Sequence, residues 1–362
     1  MLPKALVPVA LSCLCLPAAA GAAQPANGPI VFERGSGLFS APSKALSTTG
    51  YDHHPAVSPD GNRIAYTVNR DLWVMDADGT GKTALTTDGA FNDDPSWSPD
   101  GTRLVFTKGV GDGRTDLFVM KATPGAKATN LTRTGDNSER NADWSPDGRR
   151  IAYERVGCAT PRGGGACVYV MGTDGSGQRN LTPEDVVPGC EDGPGYFFDG
   201  ASKEPAWSPD GEQIAFAGPT HCDVTGTGSD IWVMSAFGAG KVNLNLDAQT
   251  SDQMPTYSPD GSRIAFVSNR PSGTQSIFTM GAGGGGIAQV TTGRDDSHPD
   301  WGPKAHCLVP KLKGRTVAQA RKALETAGCK LGKVTGKGKV RAQAKPAGKH
   351  LALGGKVGVR AA

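Results

Sequence analysis

The chain has 362 residues, with 38 Lys or Arg against 35 Asp or Glu, and it contains 51 Gly and 26 Pro. That length suffices for a large core, and the glycine and proline content suits many turns and argues against an architecture of long helices. The formal charge of +3 hides a split: residues 304–362 hold 15 basic side chains and a single acid, Glu325, for +14, which leaves −11 on the rest.

Met1 to Ala23 reads as a signal peptide. Lys4 opens it, Ala5 to Leu16 is an apolar stretch too short to span a bilayer, and Ala18 to Ala23 offers small residues for cleavage. Attachment of a lipid through Cys13 or Cys15 is the weaker reading, because Ala10 or Ser12 rather than Leu stands three residues earlier. No later stretch is long and apolar enough to cross a membrane. The chain is therefore expected to be secreted: extracellular, periplasmic or wall-associated.

Residues 24–303 carry a repeat. Near their start, Pro29 to Glu33, Gly37 to Ala41 and Ala45 to Thr48 read as three strands that lack a first partner. The tetrad Ser-Pro-Asp-Gly then occurs five times, at Ser58, Ser98, Ser145, Ser208 and Ser258, with spacings of 40, 47, 63 and 50 residues. Pro presets φ at the second turn position, Asp bonds the local backbone, and Gly supplies a positive φ, so each tetrad closes a tight hairpin. An apolar triplet such as Ile64-Ala65-Tyr66 follows. Next comes a strand ending in Met (Met75, Met120, Met171, Met234, Met280), then a Gly-rich turn and a short fourth strand near Leu85, Leu131, Leu181 and Val290. Four short antiparallel strands per roughly 40–50 residues make a propeller blade. His298 to Pro303 reads as a first strand with nothing after it, and it completes the three orphan strands of the N-terminus. The expected fold is all-β, a six-bladed β-propeller in which one blade is shared by both ends, leaving no exposed edge.

The phrase Pro-x-Trp-Ser-Pro-Asp-Gly-x-x-Ile-Ala-Phe followed by Asp-Ile-Trp-Val-Met resembles the TolB-like propeller repeat, a WD-type blade of bacterial envelope proteins. The resemblance covers about residues 29–303. Val57 and Tyr257 stand where Trp is usual, Ala142 replaces Pro, and the Asp-Gly turn becomes Phe237-Gly238 and Gly283-Gly284. TolB carries a small α/β domain ahead of its propeller, for which the few residues here leave no room, so a direct role in a Tol–Pal complex is not implied. Trp73, Trp97, Trp144, Trp207, Trp232 and Trp301 recur at blade-equivalent sites and are expected between blades rather than on a sugar-stacking platform.

Six cysteines remain after the leader, an even number that suits disulfides in an exported chain. Loops joining second to third strands, and those joining successive blades, emerge on one face. Cys158 and Cys167 share one such loop, and Cys190 and Cys222 lie in the next two. The expected pairs are Cys158–Cys167 and Cys190–Cys222, with free thiols as the alternative. The loops from Val156 to Ala166, Pro183 to Lys203 and Gly218 to Ser229 are long and of this face, which makes it the expected recognition surface.

The charge step marks a boundary near Pro303. Beyond it, Val317, Ala320, Ala323, Leu324 and Ala327 fall on one side of a helix over residues 316–327, and Gly328 is a good stop. Strands are expected around 330–335, 340–343 and 356–359. Residues 304–362 resemble a PASTA domain, the small α+β extracellular module of penicillin-binding proteins and wall-sensing kinases. The resemblance rests on Val309-Pro310, Gly314, Val317, Ala320, Leu324, Gly332, Val334, Val340, Gln343, Pro346, Gly348, Leu351, Gly354 and Val357. Pro346 falls three residues after Gln343, where the family usually has two. The resemblance implies binding to uncross-linked peptidoglycan or another anionic wall polymer. A basic surface suits nucleic acid or an acidic partner equally well, and the acidic propeller itself is one such partner; no nucleic-acid partner is expected. Cys307 and Cys329 bracket the first strand and helix of this module and are expected to pair, contributing about 3 kcal/mol.

Catalytic patterns are sparse. No Gly-x-Ser-x-Gly elbow, P-loop, His-Glu-x-x-His or EF-hand pattern occurs, so the chain is expected not to be an enzyme. One constellation precedes the innermost strands: Asp52-His53-His54, Asp93-Asp94, Glu139-Arg140, Lys203-Glu204, Asp252 and Asp296-Ser297-His298. These residues are expected to converge on the channel mouth, where they suit a protein or basic peptide. No cofactor is expected, with Ca2+ or another divalent ion as an alternative occupant. The bland reading is that they bond loop backbone and open strands. The expected protein is a monomeric adaptor that binds an envelope protein or peptide and the wall; the alternative is a metal-dependent lyase or hydrolase acting on wall glycan or peptide.

Overall fold

A computed structural model describes residues 26–48, 50–158, 165–183, 202–220, 228–245, 250–270, 273–292, 295–304, 306–326, 329–345, 347, 350–352 and 355–362. Among them are six four-stranded antiparallel sheets. The first runs through Asp52–Val57, Arg63–Val68, Asp71–Asp76 and Thr83–Ala84, and the second through Asn92–Trp97, Arg103–Gly111, Arg114–Lys121 and Thr129–Asn130. The third is Ser138–Trp144, Arg150–Cys158, Gly165–Gly172 and Arg179–Asn180; the fourth is Lys203–Trp207, Gln213–Pro219, Ser229–Ser235 and Val242–Asn243. Asp252–Tyr257, Arg263–Ser268, Ser276–Gly281 and Ala288–Gln289 form the fifth. The sixth joins both ends of the repeat region: Asp296–Pro303 pairs with Asn27–Arg34, which pairs with Gly37–Ser40 and then Lys44–Ser47.

Each sheet is locked in register by an aromatic pair across its second and third strands. Tyr66 faces Trp73, Phe106 faces Phe118, Tyr153 faces Tyr169, Phe216 faces Trp232, and Phe266 faces Phe278, while Phe32 faces Phe39 in the sixth sheet. A one-residue slip would turn these rings to the wrong side, so the pairs specify register as well as burying area.

The core lies between sheets. Leu72 and Ala65 of the first pack with Trp97, Leu104 and Phe106 of the second, and Val105 and Leu117 of the second pack with Trp144, Ile151 and Tyr153 of the third. The pattern continues from third to fourth, fourth to fifth and fifth to sixth. It returns to the start, with Val31 and Leu38 of the sixth packed on Ile64, Tyr66 and Met75 of the first. The inner strands touch in the same cyclic order. At the return, a Cβ on Gly302 would lie 2.2 Å from Val57 Cγ1, so only glycine permits that approach. Arg63, Arg103 and Arg150 stack on Trp97, Trp144 and Trp207 of the following sheet, 4.4, 4.8 and 4.6 Å from the ring centres.

The tetrads close the hairpins between first and second strands. In the third sheet Gly148 N–H donates to Ser145 O at 2.9 Å, Ser145 Oγ donates to Asp147 at 2.6 Å and accepts from Arg150 N–H at 2.9 Å, and Gly148 has φ of 68°. The Ser–Asp bond recurs from Ser58, Ser98, Ser208 and Ser258.

Beyond the sixth sheet, the helix Val317–Thr326 and a three-stranded sheet of Lys330–Thr335, Lys356–Ala361 and Val340–Gln343 enclose a small core of Val309, Leu312, Ala320, Leu324, Val340, Val357 and Val359. Thr316 and Gln319 form a capping box: Gln319 N–H donates to Thr316 Oγ1 at 3.2 Å, and Thr316 N–H to Gln319 Oε1 at 2.9 Å. The described Lys and Arg side chains of this unit are all exposed. His306–Leu308 pairs with His350–Ala352.

Cys158 and Cys167 form a disulfide across the second and third strands of the third sheet. Cys190 and Cys222 lie outside the described residues, as does most of the three long loops. Cys329 is disulfide-bonded, and the side chain of Cys307 lies outside the described set. Among the described residues no helix is long and apolar enough to cross a membrane.

Candidate functional site

Each of the six inner strands contains one non-glycine residue in the left-handed region: His54, Asp94, Asn141, Glu204, Met254 and His298, with φ between 46° and 55°. At each of them the pairing with the second strand skips. The next residue is Pro in five strands and Ala142 in the other. Proline has no N–H to give to the ladder, which favours a bulge that re-aims the preceding side chain, and the strand with Ala142 keeps the same bulge without it. Left-handed backbone is costly for Met, Glu and His, and such strain gathers at sites that need a side chain in one place.

All six side chains line both a 480 Å3 cavity and a 280 Å3 cavity. They form a ring between the two. The larger cavity also takes in Phe91, Asp93, Arg140 and Lys203, and the smaller one Trp97, Asp143 and Asp300.

On one side of the ring sits a cluster of imidazoles and carboxylates. Glu33, from the strand that pairs with Asp296–Pro303, reaches His53 Nδ1 at 2.9 Å and His298 Nδ1 at 3.1 Å. His54 Nδ1 lies 2.6 Å from Asp93 and 3.2 Å from Asp94, and its ring stands perpendicular to that of His298 with centres 3.9 Å apart. Burial alone would raise the Glu33 carboxyl, but the surrounding imidazoles of His298, His53 and His54 outweigh it and hold the group at about 2. Burial opposes charge on His54 as well, yet Asp94, Asp93 and Glu33 overcome it and push that imidazole up to about 10. Burial also works against the Asp93–Asp94 pair. His54 wins at Asp93, which is held below the ordinary range, while burial and the charge of Asp93 keep Asp94 above it. Across the ring, burial raises Glu204, whose Oε2 accepts from Met254 N–H at 2.7 Å.

The expected constellation therefore divides into three layers. His54, Asp94, Glu204 and His298 stand on the ring. His53, Asp93, Arg140 and Lys203, one residue earlier, face the larger cavity or Glu33; Arg140 Nη2 pairs with Glu154 at 2.6 Å. Asp52, Glu139, Asp252 and Asp296, two residues before the ring, are fully buried and do not reach the mouth. Their partners explain why. Glu139 holds Arg155 of its own sheet at 2.9 Å and Thr134 at 2.7 Å. Asp296 holds Arg34 at 2.5 Å and Thr291, Asp252 holds Arg270 and Asn245, and Asp52 accepts from Ser47. Each ties an inner strand to the end of the preceding sheet, which is a structural duty. Glu33, Asn141 and Met254 escaped the sequence reading. The residue before the inner-strand proline would have located Met254, whereas Glu33 comes from a different strand and carries no local signal.

Six sheets packed in cyclic order around a lined channel define a β-propeller, and the ring of bulges gives that channel its chemistry. Residues 40–182 and 196–335 match the family described as the TolB beta propeller domain, and the chain belongs to that family. It is similar to TolB from Acinetobacter baumannii, with a TM-score of 0.58 at 19% identity over 76% of this chain and 67% of that one. It is also similar to a putative TolB from Agrobacterium tumefaciens, with a TM-score of 0.55 at 19% identity over 74% and 89%. Those likenesses establish the fold. Among curated relatives, Tricorn protease homolog 1 of Streptomyces coelicolor is 26% identical over 64% of this chain, and Dipeptidyl-peptidase 5 of Porphyromonas gingivalis is 25% identical over 61%. The chain spans 20% and 38% of their lengths.

Proposed function

We propose that this chain is an exported, monomeric, non-enzymatic binding protein. Residues 1–23 direct export, residues 24–303 form a six-bladed propeller that receives a protein or peptide segment, and residues 304–362 form a PASTA-like module that holds peptidoglycan or another anionic wall polymer. The observation that carries the reading is the ring of six side chains of five kinds, set by bulges beneath a 480 Å3 cavity. Such a surface presents donors, acceptors, both charges and an apolar Met to an extended ligand. Each described histidine of the ring cluster leans on a carboxylate, not on a hydroxyl that it would activate. A disulfide suits an oxidising compartment, and the +14 module suits a polyanion.

Peptides selected from a display library on the whole chain should lose binding when Arg140 and Asn141 are both changed to Ala. Undiminished binding would place the ligand elsewhere. For the module, co-sedimentation with purified peptidoglycan should vanish in a chain ending at Pro303; full retention would sink the wall assignment. The rival reading, a metal-dependent lyase or hydrolase acting on wall glycan or peptide, draws on the imidazole–carboxylate cluster and requires turnover of wall fragments that His54→Ala abolishes.

A further inference from the structure

We infer that Glu33, His54 and His298 form a binding site for a divalent transition-metal ion of the zinc type, placed at the seam where the two ends of the propeller meet.

One ligating atom from each of the three lies within 4.8 Å of the others, the span of a metal's first coordination sphere. Their origins are far apart in sequence and adjacent in space. Glu33 sits in the N-terminal strand of the sixth sheet, His298 in the inner strand of that sheet, and His54 in the inner strand of the first. Two further observations point to a shared occupant. His298 Nδ1 is buried and pairs with Glu33 Oε2 at 3.1 Å, at ion-pair distance but outside good hydrogen-bond geometry. Both atoms are thus close without being aligned on each other, as two ligands aimed at a common ion are. In addition, His54 Nδ1 is held by Asp93 at 2.6 Å, which leaves Nε2 as its coordinating atom once the metal displaces the Nε2 proton. A carboxylate that orients a histidine through its other nitrogen is the usual support of a metal-binding imidazole. His53, also held by Glu33, steadies the carboxylate in the same manner.

Donor type selects the ion. Two imidazole nitrogens and one carboxylate oxygen favour zinc and its neighbours over Ca2+ or Mg2+, which want six or more oxygens. Three protein ligands leave coordination positions open toward the two cavities that His54 and His298 both line. Because the ligands come from both ends of the repeat region, the ion would also clamp the closing sheet.

The site goes beyond the binding role proposed above and is tested without any peptide or wall polymer. The full chain, stripped with EDTA, is titrated with Zn2+ and separately with Ca2+ by calorimetry, and its thermal midpoint is followed with and without Zn2+. One tightly bound Zn2+, weaker Ca2+ and a Zn2+-dependent rise in the midpoint are expected. His298→Ala should weaken Zn2+ binding by at least about 10-fold and abolish that rise. Glu33→Gln, which preserves shape, serves if His298→Ala does not fold, and should do the same. Absent Zn2+ binding, tighter Ca2+ binding, or undiminished Zn2+ affinity in the folded variant would each overturn the inference while leaving peptide and wall binding untouched.

Discussion

Asp143 and Asp300 occupy equivalent places two residues beyond the ring, in the third and sixth sheets. The corresponding residues are Ala56 and Ala206 in the first and fourth, and Ser96 and Thr256 in the second and fifth, so this layer repeats every three sheets. Asp143 accepts from Trp207 N–H at 2.7 Å and Ser96 Oγ at 3.2 Å; Asp300 accepts from Val57 N–H at 2.5 Å. Burial pushes Asp143 up to about 7, with Asp300 adding its charge, and burial pushes Asp300 up to about 6. A raised carboxyl favours the protonated form in the folded state. The unfolded groups titrate near ~4, so the native chain binds more protons between there and neutrality, and stability falls as pH rises across that window. The thermal midpoint is expected to be higher at pH 5 than at pH 8, and Asp143→Asn, which keeps an acceptor for Trp207, should flatten the difference. Melting curves of both proteins from pH 5 to 8 check this; an unchanged slope in the variant would remove the aspartates as its cause.

At the scale of the element, the outer turns show which part of a repeat is indispensable. The Asp-Gly pair of Asp78-Gly79 and Asp174-Gly175 becomes Phe237-Gly238 and Gly283-Gly284, yet all four glycines keep φ between 83° and 94°. A Cβ there would meet a backbone atom of the preceding sheet: Leu46 O at 2.6 Å, Leu131 O at 2.3 Å, Leu181 O at 2.9 Å and Leu244 O at 2.8 Å. The aspartate is replaceable because it bonds only its own turn, whereas the glycine sets the distance between sheets. Gly175→Ala should destabilise by about 1–3 kcal/mol through strain and displacement of Leu131. Gly177→Ala, also at positive φ but with nothing within 4 Å, should cost about 1–2 kcal/mol through strain alone. Urea denaturation of the two variants separates contact from conformation; equal losses would show that the approach to Leu131 is immaterial. The hairpin tetrads, the third-strand ends at Met and the three strands of the C-terminal sheet were legible in sequence, because turn chemistry and alternation act over a few residues, whereas His350–Ala352 was not read as a strand. The bulge was not, since it exists only as a skip in the pairing of two strands, and the strand with Ala142 in place of proline skips in the same way.

For the whole molecule, the closing sheet carries the greatest consequence. Asn27–Arg34 lies between Asp296–Pro303 and Gly37–Ser40 and contributes Ile30, Val31 and Phe32 to the two clusters flanking the seam. A chain beginning at Gly37 should lose its cooperative unfolding transition, whereas one ending at Pro303 should keep the propeller's midpoint within a few degrees, because the C-terminal unit has its own core. Calorimetry of both truncations tests the pair. A cooperative transition surviving the first cut would show that ring closure is not needed for stability.

The repeat, its turn residues and the charge step at Pro303 are properties of the chain read in order, and they determined the all-β architecture, the pairing of the two ends and the identity of the inner strands. What those strands present to the channel was decided in three dimensions. Asp94 and Asp296 look alike as acids just before an inner strand, yet one stands on the ring and the other is sealed against Arg34. The difference is two residues along a strand with a bulge in it. Glu33 joins His54 and His298 only because the ends meet, so the distances that create the cluster have no counterpart in sequence separation.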